Sequence, residues 1–581
     1  MIKLFKHLQF NGLLMIVVCL CFIAIQGWLD LKIPDKMSEI TMYVQTEGSE
    51  MSEILKSGGW MLFYAFGSLL AAFIISLISA RISSDFSSTI RQKLFYKIQS
   101  FSISEINDFS MPSLITRSTN DVTQIQTMLL MGIQVIFKAP IIAGIALYKI
   151  IGKSKEWSFT TGVAVLLLLL IVVLCVCLTI KKFKRIQFLT DDMNRITREN
   201  INGVQVLRAY NAEKYREKSF DKINVDITNT NIYTSVVMAF LNPSISMVMN
   251  GLSLAIYWVG ASLINESVGD DRFGLFSDMV VYSSYAMQIV SAFMMLVMVF
   301  MILPRAVVSG KRITEVLNKK IAVRDGNDFK TPNGSFVEFR DVSFKYPGAE
   351  DNVVSNISFR ADKGETVAFI GSTGCGKTTI MNLIMRFFDA TEGEVIIDGI
   401  NVKDYSLKLL HEKIGYVPQN SFIFSGTIAS NIAYGPYESI DNEVINEAAN
   451  IAYVSDFLDE LNEGIQSIVN REGTNFSGGQ KQRISIARAI YKKPKILIFD
   501  DSFSALDYKT DQLVRTMLNE KYKDSIKLIV AQRVGTIIEA DKIVVLDNGR
   551  IDGIGTHDQL LNNSDVYRQI VATQIQGGDE E

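Results

Sequence analysis

Six stretches of this chain, near 13–34, 59–80, 128–150, 158–180, 235–263 and 277–303, are each apolar over roughly the 20 residues that a helix needs to cross a hydrocarbon core. Inside lipid every main-chain N–H and C=O must find its partner within the segment, so these stretches read as α-helices. They crowd into the first half, while Gly, Asp and Lys punctuate the second. At 581 residues the chain also exceeds what one hydrophobic core serves, so a membrane half and a soluble half are expected. The first stretch follows Lys3 and Lys6, as the apolar part of a secretory signal would. No small-x-small cleavage pattern comes after it and further spans do, so it reads as a helix kept on the protein.

An even number of spans puts both ends on one side of the membrane. The segments 81–97 and 181–198 carry Arg81, Arg91, Lys93, Lys97, Lys181, Lys182, Lys184, Arg185, Arg195 and Arg198, which marks them as cytoplasmic. The opposite loops lean acidic through Glu39, Glu47, Glu50, Glu53, Glu266, Asp270 and Asp271, with Lys149, Lys153 and Lys155 against the trend. Both inward segments are helical in pattern, so the spans are expected to run on into the cytoplasm. Lys138 beside Ala139-Pro140 reads as a snorkelling charge. Pro243 and Pro304 mark expected kinks or helix ends. Cys19, Cys21, Cys175 and Cys177 lie in apolar runs and read as small packing residues. A net charge of −3 with no basic face argues against a nucleic-acid partner.

In the second half, the alternating strand 366–370 leads into Gly371-Ser372-Thr373-Gly374-Cys375-Gly376-Lys377-Thr378-Thr379 and then an apolar helical pattern over 380–388. Strand, glycine loop and helix together make a phosphate-binding loop. The glycines let main-chain N–H groups turn onto a β-phosphate, the helix N-terminus adds its dipole, Lys377 reaches the outer phosphates, and Thr378 offers a hydroxyl to Mg²⁺. Cys375 serves there as a small side chain. A second apolar strand, 496–499, ends in Asp500, the position of a carboxylate that holds Mg²⁺.

Phe476-Ser477-Gly478-Gly479-Gln480-Lys481-Gln482-Arg483 resembles the signature motif of ABC ATPases. The resemblance extends over almost the whole chain. It implies that Tyr346 stacks on adenine, that Gln419 is the Q-loop glutamine which also reaches the metal, and that Ser504-Ala505-Leu506-Asp507 is the D-loop. In the membrane half, 114–117, 203–210 and 304–306 are similar to the six-helix exporter type, and 101–112 and 209–217 match the inward-loop tips that dock on ATPase domains in such exporters. The fold class implied is a six-span α-helical transmembrane domain over 1–317, a linker over 318–334, and an α/β P-loop ABC ATPase domain over 335–581. Two such domains close face to face in the family, with each ATP between one P-loop and the other chain's Ser-Gly-Gly turn, so Ser477, Gly478, Gly479 and Gln480 serve the partner's nucleotide.

Two positions depart from the family. Asp501 stands where a glutamate usually activates water, one methylene short, and a displacement on the order of 1 Å can cost a hundredfold in rate. Gln532 stands where a histidine usually contacts the γ-phosphate, and an amide cannot become an imidazolium. His7, His411 and His557 are the remaining candidates, and none falls in that segment. The signature keeps its serine and glycines, with Phe476 for the usual leucine, and Arg471-Glu472 reverses the usual order before it. The pattern is similar to the degenerate chain of bacterial heterodimeric multidrug exporters. It implies a second half-transporter with the consensus glutamate and histidine, ATP and Mg²⁺ as cofactors, a plasma-membrane location with the ATPase domain and both termini cytoplasmic, and small hydrophobic or amphipathic substrates. Import through the same scaffold, a nucleotide-sensing regulatory subunit and a homodimer remain alternatives.

Overall fold

The protein, as a computed structural model, is described at Leu4, Lys6 and residues 10–46, 49–151, 155–267, 271–326, 335–435 and 441–576, apart from the side chain of residue 151 and several side chains of the segments 271–304 and 575–576. His7, Glu47, Lys153, Asp270 and 327–334 of the expected linker lie outside that range. The chain divides into two compact bodies: residues 1–99 with 112–318, and residues 100–111 with 319–581.

The first body is helical. Its long helices are Phe10–Gln45, Met51–Gln99, Asn120–Ile151, Lys155–Asn202, Glu213–Ala239, Leu241–Glu266 and Asp271–Asn318. Among the described residues five segments are long and apolar enough to cross a membrane, and only 17% to 28% of each apolar window is buried within the protein. Such surfaces need lipid around them. The sixth expected span falls in Asp271–Asn318, part of whose side chains lies outside the described range. Met51–Gln99 has 49 residues; at 1.5 Å per residue it is about 73 Å long, more than twice a hydrocarbon core of ~30 Å.

The fifth span breaks beside Pro243, as expected. Pro243 removes the N–H that the Ala239 carbonyl would accept, and the helix breaks at Phe240, leaving Pro243 in the first turn of Leu241–Glu266, where it is tolerated. The helix Asp271–Asn318 is not ended at position 304 and runs 14 residues further. Pro34 sits buried inside Phe10–Gln45. The carbonyl it deprives of its helical donor, Asp30 O, is reached from Asp271–Asn318 by Gln288 Nε2 at 3.4 Å, and beside it Tyr285 OH donates to Leu31 O at 3.4 Å and to the Asp35 carboxylate. Lys149 Nζ donates to the same carboxylate at 2.8 Å.

The second body carries the strands β1 (Phe336–Phe344), β2 (Val354–Asp362), β3 (Thr366–Gly371), β4 (Glu392–Ile397), β5 (Ile400–Asn401), β6 (Ile414–Val417), β7 (Gly426–Thr427), β8 (Ile468–Val469), β9 (Ile496–Asp500), β10 (Ile526–Val530), β11 (Lys542–Asp547) and β12 (Arg550–Gly555). They form an antiparallel sheet β2-β1-β4-β5 and a larger sheet β12-β11-β3-β10-β9-β6, parallel from β11 through β6. The central strands β3, β9 and β10 are buried along nearly their whole length, which is why they read as continuous apolar runs. One apolar cluster joins the antiparallel sheet to the helix Lys377–Ile384, and another joins the opposite face of the large sheet to the helix Gly478–Tyr491.

Candidate functional site

The phosphate loop leaves β3 at its C-terminal end, where an open α/β sheet places its ligand crevice. Gly371, Gly374 and Gly376 have φ of 155°, 86° and 99°. A Cβ at Gly371 would lie 2.1 Å from Leu546 O, and one at Gly376 2.4 Å from Val354 Cγ1, so the loop path admits only glycine at these two positions. Ser372, Thr373 and Gly374 are exposed, whereas Cys375 is buried in the core beneath, which agrees with a packing role for it. Lys377 Nζ donates to Gly371 O and Ser372 O, each at 2.8 Å, which holds the ammonium over its own loop. Thr379 Oγ1 and Tyr346 OH share a hydrogen bond of 3.1 Å, and the Tyr346 ring stands edge-on to Phe344 and Phe388 at the margin of the same loop.

Thr378 Oγ1 donates to Asp500 Oδ1 at 3.0 Å, bringing the loop hydroxyl to the end of β9. Two hard oxygens beside a lysine-topped glycine loop are a donor set suited to Mg²⁺, which takes one or two protein oxygens and completes its octahedron with water and phosphate. Burial raises the Asp500 pKa, the neighbouring Asp501 charge adds to this, and the Thr378 hydrogen bond opposes it.

At Asp501 the chain turns through φ 50°, pinned by its N–H to Val530 O at 3.0 Å and by Ser504 Oγ donating to its carbonyl at 2.8 Å. The turn brings Asp501 Oδ2 to Gln532 Nε2 at 2.8 Å and to Gln419 Nε2 at 3.3 Å. The two positions that depart from the family are thus joined by one hydrogen bond, with the Q-loop glutamine on the same oxygen. Burial pushes the Asp501 pKa up, and the Gln419 and Ser504 hydrogen bonds oppose that. Gln532 is itself held by Gln574, whose Nε2 donates to Gln532 O at 2.7 Å and whose Oε1 accepts from Val534 N at 2.8 Å. Sequence reading missed Gln574: it lies 42 residues away in a C-terminal helix with no motif of its own.

Ser477 caps the helix Gly478–Tyr491: its Oγ accepts from Gln480 N at 3.2 Å, and Gln480 Oε1 accepts from Ser477 N at 2.9 Å. Ser477 and Gly478 are exposed, and Gly478 has open space where a side chain would start. The turn therefore presents a helix N-terminus outward. Phe476 fills the core behind it, against Phe457 at 6.2 Å, whose ring also carries the Arg483 guanidinium at 4.8 Å. Arg471 and Glu472 sit in an exposed turn and pair with each other at 3.5 Å. Asp507 caps the helix Tyr508–Lys521 by accepting from Thr510 N at 3.0 Å, and that bond lowers its pKa.

Comparison with known proteins covers almost the whole chain. The ABC transporter family model matches residues 354–504, and the ABC transporter transmembrane region matches 14–293. An uncharacterized ABC transporter ATP-binding protein of Mycobacterium tuberculosis (strain ATCC 25618 / H37Rv) is 35% identical over 532 residues, 90% of each chain. The chain belongs to the ABC transporter family. It is an exporter-type ABC half-transporter, with a transmembrane region fused to an ABC ATPase domain. Another uncharacterized ABC transporter ATP-binding protein, of Bacillus subtilis (strain 168), is 35% identical over 514 residues, 87% of each chain. An ATP-dependent lipid A-core flippase of Aromatoleum aromaticum is 30% identical over 509 residues, covering 87% of this chain and 83% of the flippase. The structure of a bacterial Atm1-family ABC exporter with ATP bound shares the fold at a TM-score of 0.78 and 22% identity, over 97% of this chain and 99% of that one.

Proposed function

We infer that this ABC half-transporter exports hydrophobic or amphipathic molecules from the cytoplasm by alternating access, as the subunit of a heterodimer that holds the slowly hydrolysing ATP site. The observation that carries the reading is the Asp501–Gln532 hydrogen bond of 2.8 Å. It ties a shortened base to an amide that cannot accept a proton, so both departures fall on one chemical step. The signature turn, in contrast, keeps its capped serine and open glycine. The chain thus offers a competent lid to its partner's nucleotide and a poorly aimed base to its own. In this reading Gly371–Thr379 wraps the phosphates, Lys377 takes the outer charge, Thr378, Asp500 and Gln419 hold Mg²⁺, and Tyr346 faces the adenine. Bound Mg²⁺ would neutralise developing phosphate charge. Asp501, clamped by Gln419 and Gln532, would hold the attacking water too loosely to deprotonate it quickly. The ATPase domain lies on the cytoplasmic side, with six spans in the membrane.

A flippase and an Atm1-family exporter among the similar proteins favour outward movement over import. The partner is a second half-transporter with the consensus glutamate and histidine. The test is steady-state ATP hydrolysis by the complex. Ser477→Ala or Gly478→Asp is expected to lower it at least tenfold, and Asp501→Asn to change it less than about twofold, since their effects fall on different sites. Equal loss from both, or steady hydrolysis by this chain alone, overturns the reading.

A further inference from the structure

The sequence marks residues 318–334 as a linker, and linkers between domains are ordinarily exposed and mobile. The described part, 319–326, is instead fastened at both ends within the second body. At one end it meets the segment 100–111, which folds with the ATPase rather than with the membrane helices that precede and follow it in the chain. Glu105 is only 2% exposed there. Its Oε2 accepts from Ser102 N at 2.8 Å and Ser102 Oγ at 2.7 Å, and its Oε1 from Ala322 N at 3.0 Å. Lys319 Nζ donates to Asp108 at 2.8 Å and lies over Phe109, which stacks on Phe101.

At the other end the strap meets Arg386, 5% exposed and left-handed at φ 53°, two residues beyond the phosphate-loop helix Lys377–Ile384. Arg386 Nη2 donates to Arg324 O at 2.8 Å, Nη1 to Tyr405 O at 3.1 Å and Nε to Asp389 Oδ1 at 3.1 Å. Asp325 Oδ1 accepts from Leu407 N at 2.7 Å, and Gly326 N donates to Tyr405 O at 3.1 Å. A Cβ on Gly326 would sit 2.2 Å from Asp404 O, so the strap lies flat against the core. Ile103 of the inward segment packs on the apolar cluster that includes Ile380, Ile384 and Met385.

We propose that Arg386 and Glu105 are positioning residues at the two ends of a strap, residues 319–326, through which the phosphate-loop helix sets the position of the inward segment 100–111. The planar guanidinium serves two carbonyls and a carboxylate in one rigid fork, so a movement of the helix end is passed to Arg324 without a flexible joint. Glu105 receives it at a main-chain N–H, and its carboxylate accepts from three donors, Ser102 N, Ser102 Oγ and Ala322 N. The strap acts whether or not this chain's own ATP site is the slow one, so it does not depend on the function proposed above.

Hydrogen exchange on the full-length chain in lipid nanodiscs tests this. A non-hydrolysable ATP analogue with Mg²⁺ is expected to slow the amides of 103–109 about tenfold, within the range of coupling seen between linked sites. In Arg386→Ala and in Glu105→Gln that response is expected to fall below about twofold while analogue affinity stays within about twofold of the parent. The double variant should match either single one, because both lie on one path. Should Arg386→Ala fail to fold, Glu105→Gln carries the test, since it leaves the nucleotide-binding core untouched. A full response of 103–109 in Glu105→Gln, additive losses in the double variant, or analogue affinity lost together with the response would each overturn the proposal.

Discussion

Asp501→Glu is the most direct test of the hydrolysis step. The substitution extends the carboxylate by one C–C bond, about 1.5 Å. Its present oxygen already lies against Gln532 Nε2 at 2.8 Å and Gln419 Nε2 at 3.3 Å, so the longer side chain must displace or pass both amides. If a displacement near 1 Å is worth a hundredfold, Asp501→Glu should raise turnover at this site by up to about 100-fold, ~2.7 kcal/mol. Gln532→His replaces an amide, which cannot take up a proton, by an imidazole that can. Because the two side chains touch, their effects should not add, and the double variant should depart from the sum of the singles by about 0.5–3 kcal/mol. The assay is ATP hydrolysis by a complex whose partner carries an inactivating glutamine in place of its catalytic glutamate, so that only this site turns over. If Asp501→Glu leaves the rate unchanged with nucleotide affinity intact, the position of the base is not what limits this site.

Three further outcomes follow from the ATPase body. Gly376→Ala places a Cβ 2.4 Å from Val354 Cγ1 at φ 99°, and equilibrium binding of a fluorescent ATP analogue should be lost. Phe476→Ala empties a buried site against Phe457 and should cost about 3–5 kcal/mol in denaturant melts, whereas Phe476→Leu should keep most of the stability. His411 has its pKa lowered by burial from the ordinary 6.5. A folded pKa below the unfolded one gives stability that is present above pH 6.5 and declines as pH falls toward the folded value, so thermal melts between pH 7.5 and 5 should show a loss that His411→Gln reduces.

What the sequence made legible was whatever is written locally. The loop Gly371–Thr379 announces itself because strand, glycines and helix are contiguous, and the signature segment 476–483 is recognisable as a contiguous motif. The apolar spans follow from composition alone. Contacts between distant segments were not legible. Asp501 and Gln532 were expected to affect one step, yet their hydrogen bond spans 31 residues and depends on the turn at φ 50°. The stretch from 319 reads as a linker because its composition is polar, and nothing local signals that Arg386 and Glu105 hold it. Pro304 was read as a kink or helix end, and the helix runs past it, while Pro34, unremarked in the sequence, is the one whose freed carbonyl another helix answers.

That arrangement around Pro34 has a bearing on how the bundle comes apart. As long as Gln288 stays in place, the Asp30 carbonyl that Pro34 leaves without its helical donor has one from the same protein. If the last helix draws away, that bare oxygen in hydrocarbon costs on the order of several kcal/mol. It must then be met by water, so parting at this depth and wetting it are a single event, and a dry opening along the first helix is disfavoured where the proline has broken its ladder.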